Sequence, residues 1–471
     1  MQLRRSIAGF GVAVGVALGL GTLDACVQAS SFSIVHDFSV GATNGGGYYY
    51  VKHPIEGSDH RLYGTTSAGG SYSNGTVFRL ERDGSGYTAL HSFLGQPTDG
   101  ASPEAGVIEG SDGKLYGTTI SGGAANRGTI FRLNLNGSGY EVVHHFSLNP
   151  SDGNSPRAAL LEGSDGRLYG TTYGGGTNGQ GTVFALNKHG SGFVVIRSLL
   201  ASTDDAGYPE GPLIEGNDGA LYGASTSGGI LNSGALFRLQ KDGTYAVLRL
   251  YSNGASEGTL PRDALLEGAD GRLYGTTRGG GTSNAGTVFR IAKNGSAYTV
   301  LHHFAGGVAD GRTPDAALVE GRDGLLYSST ISGGAFDAGT LYRVSKDGSH
   351  FELLHHFTAS GDTGYHPNEG LVAAHDGALY GSAPGGHGVR DPKHEFGFIF
   401  RLGHQLGFLW NGSQAHLVAT GIAGYTYAIQ HSSDLAAWAT LETVVMPEGG
   451  QFEKDYSVPQ GNMGFFRLRV P

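Results

Sequence analysis

One motif recurs seven times along the chain at an almost constant spacing. Each copy contains a Leu-Tyr pair, a glycine-rich gap and then a segment related to Gly-Thr-Val-Phe-Arg-Leu. Neighbouring motif tyrosines are 52 or 53 residues apart, and they are Tyr63, Tyr116, Tyr169, Tyr222, Tyr274, Tyr327 and Tyr380. A fixed period of this size means that one supersecondary unit is reused. Seven β-rich units of this length predict an all-β fold, a seven-bladed β-propeller.

Each unit divides into four strand-like segments. In the second unit they are residues 103–110, 114–118, 128–133 and 140–146, which are rich in β-branched and aromatic residues. Ser111-Asp112-Gly113 and Asn136-Gly137 separate two pairs of them, and such dipeptides favour tight hairpin turns. The other two connections are longer and vary between units. We expect these two variable loops to lie on the same face of the propeller.

The repeat begins and ends within a unit. The third segment occurs seven times, but no fourth segment follows the last copy, and the missing one is found at residues 32–38. This circular offset predicts a propeller of residues 30–403 that is closed by its N-terminal strand, which also removes exposed sheet edges. From residue 404 the repeat stops. Strand-like stretches at 425–430 and 465–470 predict a small, sandwich-like C-terminal β domain at 404–471.

Composition and the N-terminus indicate export. The 84 glycines of the 471 residues accompany 39% hydrophobic residues, which favours a packed core over disorder. Arg4 and Arg5 precede an apolar run, so residues 1–29 are interpreted as a signal peptide cleaved after Ala29. Lipidation of Cys26 is the alternative. The run is short for a membrane span, and a net charge of −10 disfavours nucleic acid as a partner. The expected location is secreted, cell-surface or periplasmic.

The repeats resemble the GloVer tandem-repeat family of exported bacterial proteins. The resemblance rests on residues 165–172, Gly174-Gly175, residues 181–184 and the turn at 310–314, and it extends over roughly residues 31–403. It implies an exported repeat architecture with varied C-terminal anchors and no shared enzymatic activity. Residues 425–430 and 433–438 resemble a C-terminal module of exported verrucomicrobial and planctomycete proteins.

Residues that occur in most units are best explained by the blade itself. The aspartates of the first turn precede glycine, where they need no metal, and they are Asp112, Asp165, Asp218, Asp270, Asp323 and Asp376. The fourth segment places a histidine or arginine at one position: His36, His91, His144, Arg197, Arg249, His302 and His355. We expect these groups to tie blades together by hydrogen bonds to first-segment glutamates, namely Glu56, Glu109, Glu162, Glu215, Glu267 and Glu320.

Residues that differ between units are the candidates for function. Variable loops on a rigid scaffold are common binding sites, and the predicted ligand-binding residues are Tyr72, Arg127, Tyr173, Arg278, Phe336, His387, Arg390, Asp391, His394 and Glu395. The last five belong to the longest insertion, at 384–396. That insertion has a structural alternative, as a longer loop at the seam of the ring or against the C-terminal domain.

No motif for catalysis, cofactor or metal binding is found. The glycine pairs lie between strands, so they do not form phosphate loops, and zinc-ligand spacing is missing. The chain is therefore interpreted as an exported, monomeric, non-enzymatic scaffold that binds extracellular carbohydrate or an envelope protein. Two alternatives stay open: a polysaccharide-active lyase or hydrolase, for which Asp391 and Glu395 are an unusual acidic pair, and a purely structural envelope protein.

Overall fold

A computed structural model describes residues 31–38, 51–252, 257–321, 323–358, 366–383, 397–403, 405–410, 414–420, 426–432, 438–447, 451–457 and 465–469. The regular elements in these ranges are β-strands, apart from one turn of 3-10 helix at Pro150–Asp152. No helix in the described ranges is long and apolar enough to cross a membrane. The proposed signal peptide lies outside them. The larger of two compact units comprises Ile34–Ala373 and Tyr380–Phe400, and the smaller one includes Arg401–Pro471.

Seven four-stranded sheets form the blades of a β-propeller, as the repeat predicts. In each sheet the strands, here called A to D, are hydrogen-bonded in that order. The blades are Val51–Glu56, Leu62–Thr66, Thr76–Leu80 and Thr88–Ser92 (blade 1); Ile108–Glu109, Lys114–Thr119, Thr129–Asn134 and Glu141–His145 (blade 2); Leu161–Glu162, Leu168–Thr172, Thr182–Leu186 and Val194–Ser198 (blade 3); Ile214–Glu215, Leu221–Ser225, Ala235–Leu239 and Tyr245–Leu250 (blade 4); Leu266–Glu267, Leu273–Thr277, Thr287–Ile291 and Thr299–His303 (blade 5); Val319–Glu320, Leu326–Thr330, Thr340–Val344 and Phe351–His356 (blade 6); and Val372–Ala373, Leu379–Ala383, Phe398–Gly403 and Ser31–Asp37 (blade 7).

The seventh sheet combines residues from the two ends of the repeat region. Ser31–Asp37 is its strand D, next to Phe398–Gly403. The backbone N–H of Phe38 donates to the carbonyl of Gly397 at 3.1 Å. The buried ring of Phe38 also contacts Phe78 of blade 1, with centroids 5.1 Å apart. Phe93 makes the same 5.1 Å contact with Phe131 one blade further on.

The hydrophobic core lies between neighbouring blades. One buried cluster combines Tyr63, Val77 and Phe93 of blade 1 with Leu115 and Phe131 of blade 2. Strand B is buried along its whole length, because both of its faces pack against other blades. The glycine of the Leu-Tyr-Gly motif follows from packing within the blade: a Cβ atom on Gly117 would lie 2.4 Å from Cζ of Phe131, its partner on strand C.

The repeated turn aspartates act within the blade, as predicted. The hydroxyl of Tyr116 donates to Oδ2 of Asp112 at 2.8 Å, and the turn closes through Gly113, whose φ is +72°. The same hydroxyl-to-carboxylate bond joins Tyr63 to Asp59, Tyr169 to Asp165, Tyr222 to Asp218, Tyr274 to Asp270 and Tyr327 to Asp323. Each pair fastens the A–B turn to strand B.

The predicted pairing of fourth-strand histidines and arginines with first-strand glutamates is wrong. Their partners are the acidic residues eight positions later: His91 with Asp99, His144 with Asp152, Arg197 with Asp205, Arg249 with Glu257 and His302 with Asp310. For His36 the contact is to the carbonyl of Gly84. The reason is the direction of the strands. The end of strand D adjoins the loop into the next blade, whereas strand A ends at the opposite face.

The first-strand glutamates do connect blades, through other partners. Glu162 accepts a 2.7 Å hydrogen bond from the backbone N–H of Ser111, which belongs to the previous blade. It also accepts one from Nζ of Lys188 at 2.5 Å. Equivalent bonds join Glu215 to Ser164 and Lys241, Glu267 to Asn217 and Lys293, and Glu320 to Ala269 and Lys346. These four glutamates therefore connect blades, although not through the predicted histidines and arginines.

The two variable kinds of loop lie on one face, which we call the loop face. Four short two-stranded sheets in the described ranges join a D–A loop to the B–C loop of the following blade. They pair Gly100–Ala101 with Ser121–Gly122, Ala206–Gly207 with Ser227–Gly228, Gly258–Thr259 with Gly279–Gly280, and Gly311–Arg312 with Ser332–Gly333. The opposite face carries the tight A–B and C–D turns.

The C-terminal strands form two three-stranded antiparallel sheets. Gln405–Trp410, Gln414–Thr420 and Gln451–Ser457 make up the first, with Gln414–Thr420 in its centre. The second consists of Ala439–Val445, Thr426–Ser432 and Phe465–Arg469, with Thr426–Ser432 in its centre. Leu417, Tyr427, Ile429 and Leu468 are buried in this region.

Candidate functional site

The segments that enter the A strands meet at the propeller axis. Nζ of Lys52, in blade 1, lies 3.1 Å from Glu104 in blade 2 and 3.2 Å from Glu369 in blade 7. A Cβ atom on Gly370 would lie 2.8 Å from the imidazole of His53. These contacts join blades through their first strands, so the A strands are the innermost ones.

Blade-specific polar residues concentrate at the start of these strands. In each of blades 2 to 7, the D–A loop that leads into strand A contains a proline. In blade order, the residue that follows this proline is Glu104, Arg157, Glu210, Arg262, Asp315 or Asn368. The second residue after it is Ala105, Ala158, Gly211, Asp263, Ala316 or Glu369. Blade 1 contributes Lys52 and His53. We call Lys52, His53, Glu104, Arg157, Glu210, Arg262, Asp263, Asp315, Asn368 and Glu369 the axial cluster. Because the D–A loops lead into strand A, the cluster lies near the loop face.

Lys52 is the centre of one part of the cluster. It is 7% exposed and is bonded to the carboxylates of both Glu104 and Glu369. Burial alone would lower the pKa of Lys52, but Glu369 and Glu104 outweigh burial and raise it above its usual value. Lys52 therefore stays a cation and neutralises part of the charge on these two acids.

Arg262 is the centre of the other part. Its Nε donates to Glu210 at 2.6 Å, and its Nη1 donates to Oδ2 of Asp315 at 2.5 Å. Burial opposes the charged form, but the carboxylates of Asp315 and Glu210 hold the pKa of Arg262 above its ordinary value. Burial raises the pKa of Asp315, whose side chain is only 2% exposed, while Arg262 opposes the change.

Asp263 differs from the other acids because no ion pair to it is found among the described residues. Its oxygens accept hydrogen bonds from the backbone N–H groups of Ala264, at 2.7 Å, and Ala317, at 2.8 Å. Burial raises the pKa of Asp263 to about 7, with Glu369 and Asp315 adding repulsion and the two N–H groups opposing it. Asp263 thus titrates near neutral pH.

The axial cluster contains more acidic than basic side chains, although Asp263, with a pKa of about 7, is only partly ionised at neutral pH. Its five acids are Glu104, Glu210, Asp263, Asp315 and Glu369, whereas its permanent cations are Lys52, Arg157 and Arg262. Burial lowers the pKa of His53, so this imidazole is neutral at pH 7. Two buried acceptor atoms, Oδ1 of Asp315 and Oδ1 of Asn368, have no hydrogen-bond partner among the described residues. The arrangement can accept hydrogen bonds and positive charge from a ligand.

Two of the predicted ligand-binding residues adjoin this cluster. The guanidinium of Arg157 lies 3.9 Å from the ring centroid of Tyr173, and the Tyr173 and Tyr208 rings are 4.9 Å apart. Nε of Arg278 lies 4.0 Å from Oδ1 of Asp315. Tyr173 and Arg278 therefore form part of the rim around the axial cluster.

The remaining predicted residues are more scattered. Tyr72 and Phe336 are 53% and 60% exposed, and Arg127 is exposed as well; no contact joins these three to one another. His387, Arg390, Asp391, His394 and Glu395 lie outside the described residues. The sequence interpretation missed the axial cluster. An alignment of the repeats on the proline of the D–A loop would have shown that the charge of the next residue differs from blade to blade.

Large exposed apolar residues are also concentrated on the loop face. Nine of the twelve in the described residues lie in its loops, and they are Tyr72, Leu94, Leu148, Leu200, Ile230, Leu231, Leu260, Val308 and Phe336. Contiguous exposed apolar surface often marks an interaction site. Single exposed apolar residues are common, so the concentration on one face is the informative observation.

A cavity of about 640 Å³ lies at the opposite, turn-bearing face. Its lining includes Ser164, Glu215, Asn217, Glu267 and Ala269. Glu215 and Glu267 already bind lysines and backbone N–H groups there. These polar groups therefore serve the connection between blades, and the loop face is the stronger candidate for binding.

Comparison with protein families gives an extensive match. A model described as the Gloeobacter/Verrucomicrobia repeat matches residues 48–269 and again residues 199–400. The two overlapping regions include all seven motif tyrosines. A search of curated proteins gives no match.

Solved structures that resemble the chain are distant in sequence. The BP39L lectin from Burkholderia pseudomallei is 8% identical, with a TM-score of 0.42 over 94% of this chain and 99% of that chain. A putative 6-phosphogluconolactonase from Bacteroides uniformis is 12% identical, with a TM-score of 0.41 over 91% and 100% of the two chains. The NanB sialidase from Streptococcus pneumoniae is 11% identical, with a TM-score of 0.40 over 79% and 70%.

Proposed function

The chain belongs to the Gloeobacter/Verrucomicrobia repeat family, and we propose that it is an exported binding protein that holds a carbohydrate on the loop face. The observation that carries this proposal is the separation of repeated from blade-specific residues. The repeated tyrosines, turn aspartates and first-strand glutamates make bonds within or between blades. The blade-specific polar residues instead gather at the axis, beside the variable loops.

A carbohydrate suits the chemistry of this face. Sugars present many hydroxyl groups, which both donate and accept hydrogen bonds, together with apolar ring faces. The axial cluster offers donors such as Arg262 and free acceptors such as Asn368 Oδ1. Tyr173, Tyr208 and the exposed Tyr72 offer aromatic surface. A few placed polar groups beside aromatic surface are typical of small-ligand and sugar sites.

Binding of the full-length chain to a glycan array tests the proposal. The variants are Arg262→Ala, which removes a donor of the cluster, and Tyr173→Ala, which removes aromatic surface from the rim. Arg272→Ala is the matched control, because Arg272 is half exposed and lies in an A–B turn, on the face opposite the loop face. We expect specific binding that both loop-face variants lose and the control keeps. Absence of binding to any glycan would contradict the proposal.

Catalysis is the second candidate function, and one observation favours it. A general acid or base works best when its pKa lies near the working pH, and the pKa of Asp263 is raised to about 7. An enzyme that cleaves a polysaccharide would release new chain ends. Their release by the native chain, with loss of release in Asp263→Asn, would replace the binding proposal by an enzymatic one.

We also propose that Ser31–Asp37 closes the ring and that the chain acts as a monomer. The closure is supported by the order of strands in the seventh sheet and by the contact of Phe38 with Phe78. The two three-stranded sheets of the C-terminal residues support a separate β domain there, with a role in attachment or spacing.

A further inference from the structure

We propose that the axial cluster recognises a protonated amino group, so that the carbohydrate on the loop face is a polymer of amino sugars with free amines. This inference rests on the proposed function and specifies the ligand of the same site. It starts from the ionic groups of the cluster, in which five acidic side chains, with Asp263 only partly ionised, face Lys52, Arg157 and Arg262, and Arg278 lies at the rim.

Among the described residues, the ion pairs leave Asp263 without a cation and Oδ1 of Asp315 without a hydrogen-bond partner. Lys52 is shared between Glu104 and Glu369, and Arg262 is shared between Glu210 and one oxygen of Asp315. Within the described ranges, the hydrogen bonds to Asp263 come from backbone N–H groups. Arg157 lies against the ring of Tyr173. An ionised carboxylate that is buried without a counterion is unfavourable, so it either takes up a proton, as Asp263 does with its pKa of about 7, or is stabilised by a cation from a ligand.

Two buried oxygen atoms without a hydrogen-bond partner among the described residues indicate which kind of cation fits the site. Oδ1 of Asp315 is buried and lacks a hydrogen-bond partner among the described residues; Arg262 binds the other oxygen, and Nε of Arg278 lies 4.0 Å from Oδ1. Oδ1 of Asn368, at the equivalent position of the next blade, is buried and has no hydrogen-bond partner in the part of the chain that the structure describes. A primary ammonium group has three donors and no acceptor, so it can satisfy such oxygens and offset the charge together. A neutral hydroxyl group can satisfy the oxygens only.

The aromatic rim favours a sugar as the carrier of that amine. Tyr173 and Tyr208 form a pair beside the cluster, and sugar rings pack their apolar faces on such side chains. A bare metal ion is less suited, because no group of three metal-ligating side chains is found among the described residues. A lysine side chain of a peptide is the competing source of an ammonium group.

The test compares oligomers of one length that differ only in the amine. Glucosamine oligomers, their N-acetylated forms and uncharged glucose oligomers are titrated into the full-length chain by calorimetry. We expect the free-amine oligomer to bind at least about tenfold more tightly than the other two, as for one charge-assisted hydrogen bond. Equal affinities would overturn the inference and leave the proposed function intact. No binding of any oligomer or arrayed glycan would contradict the proposed function itself.

Two variants test whether the carboxylates of Asp315 and Asp263 cause the preference for the free-amine oligomer. Asp315→Asn keeps the shape of the side chain and should remove most of the preference for the amine, with little change for the N-acetylated oligomer. Asp263→Asn is the second variant in case Asp315→Asn does not fold. Asp242→Asn, in an exposed C–D turn, is the control that should keep the preference. An unchanged preference in both loop-face variants would overturn the inference, as would tighter binding of lysine peptides or of Ca²⁺ alone.

Discussion

The imidazole of His91 stacks on the ring of Tyr140 in the next blade, with centroids 3.4 Å apart and planes within 9°. Nε2 of His91 also bonds Asp99 at 2.9 Å, and the hydroxyl of Tyr140 donates to the same carboxylate. In other blades an arginine takes this place, for example Arg249 at 3.6 Å from the centroid of Tyr298, bonded to Glu257. The position therefore requires a planar donor that stacks, which histidine and arginine both provide.

Replacement of His91 tests this interpretation. We expect His91→Ala to lower the free energy of unfolding by about 2 kcal/mol, since it removes a buried hydrogen bond and a ring contact. His91→Arg should cost less than half as much, because arginine can make both interactions. Thermal denaturation followed by circular dichroism measures the difference, with the exposed Thr88→Ala as control. Equal losses for alanine and arginine would contradict the interpretation.

Two glycines of blade 2 allow the energetic cost of overpacking to be measured separately from the cost of a left-handed backbone conformation. Gly117→Ala places a Cβ atom 2.4 Å from the buried ring of Phe131, so it should cost about 3 kcal/mol or more through overpacking. Gly113→Ala meets no atom within 4 Å, and its φ of +72° alone should cost about 1 kcal/mol. Denaturant titration of both variants measures the order. A larger loss for Gly113→Ala would mean that the core tolerates movement of Phe131.

The proposed closure predicts how much Phe38 contributes to stability. If Ser31–Asp37 completes blade 7, Phe38 is the equivalent of Phe93, and both rings make a 5.1 Å contact with the next blade. Each substitution, Phe38→Ala and Phe93→Ala, should then cost about 3–5 kcal/mol. The exposed Phe336→Ala is the control. A loss for Phe38→Ala no larger than that of the control, measured by denaturant titration, would argue against closure.

Asp263 predicts a dependence of stability on pH. Its pKa in the folded chain is about 7, above the value of about 3.9 for an exposed aspartate. The folded state therefore binds the proton more tightly. Protonation of Asp263 therefore stabilises the folded state. This stabilisation is complete below about pH 4, is lost as the pH rises towards 7, and amounts to at most about 4 kcal/mol.

Asp263→Asn should remove this part of the dependence, because asparagine does not titrate. Unfolding curves from pH 4 to pH 8 measure it, and the variant should gain stability relative to the native chain as the pH rises. Asp242→Asn in the exposed turn is the control. Parallel pH profiles for Asp263→Asn and the native chain would show that the carboxyl is ionised throughout.

Much of the fold could be predicted because the repeat supplies the same information seven times. The motif spacing gave the number of blades, and the turn at Asp112-Gly113 gave the position of the A–B hairpin. The partner of His91 could not be predicted. A strand pattern gives the face on which a side chain lies, but it does not say whether Asp99 or Glu56 is within reach. The direction of the chain at each strand end decides that.

The sequence by itself determined an all-β chain of seven similar units, because hydrophobic alternation and turn residues act over a few neighbouring positions. Only the tertiary structure decided which residues that are distant in sequence lie close together. Lys52 and Glu369 are separated by most of the repeat region, yet they lie 3.2 Å apart at the axis. Each blade contributes one or two residues to that place, so the charge balance of the site exists only after the blades are arranged around a common centre.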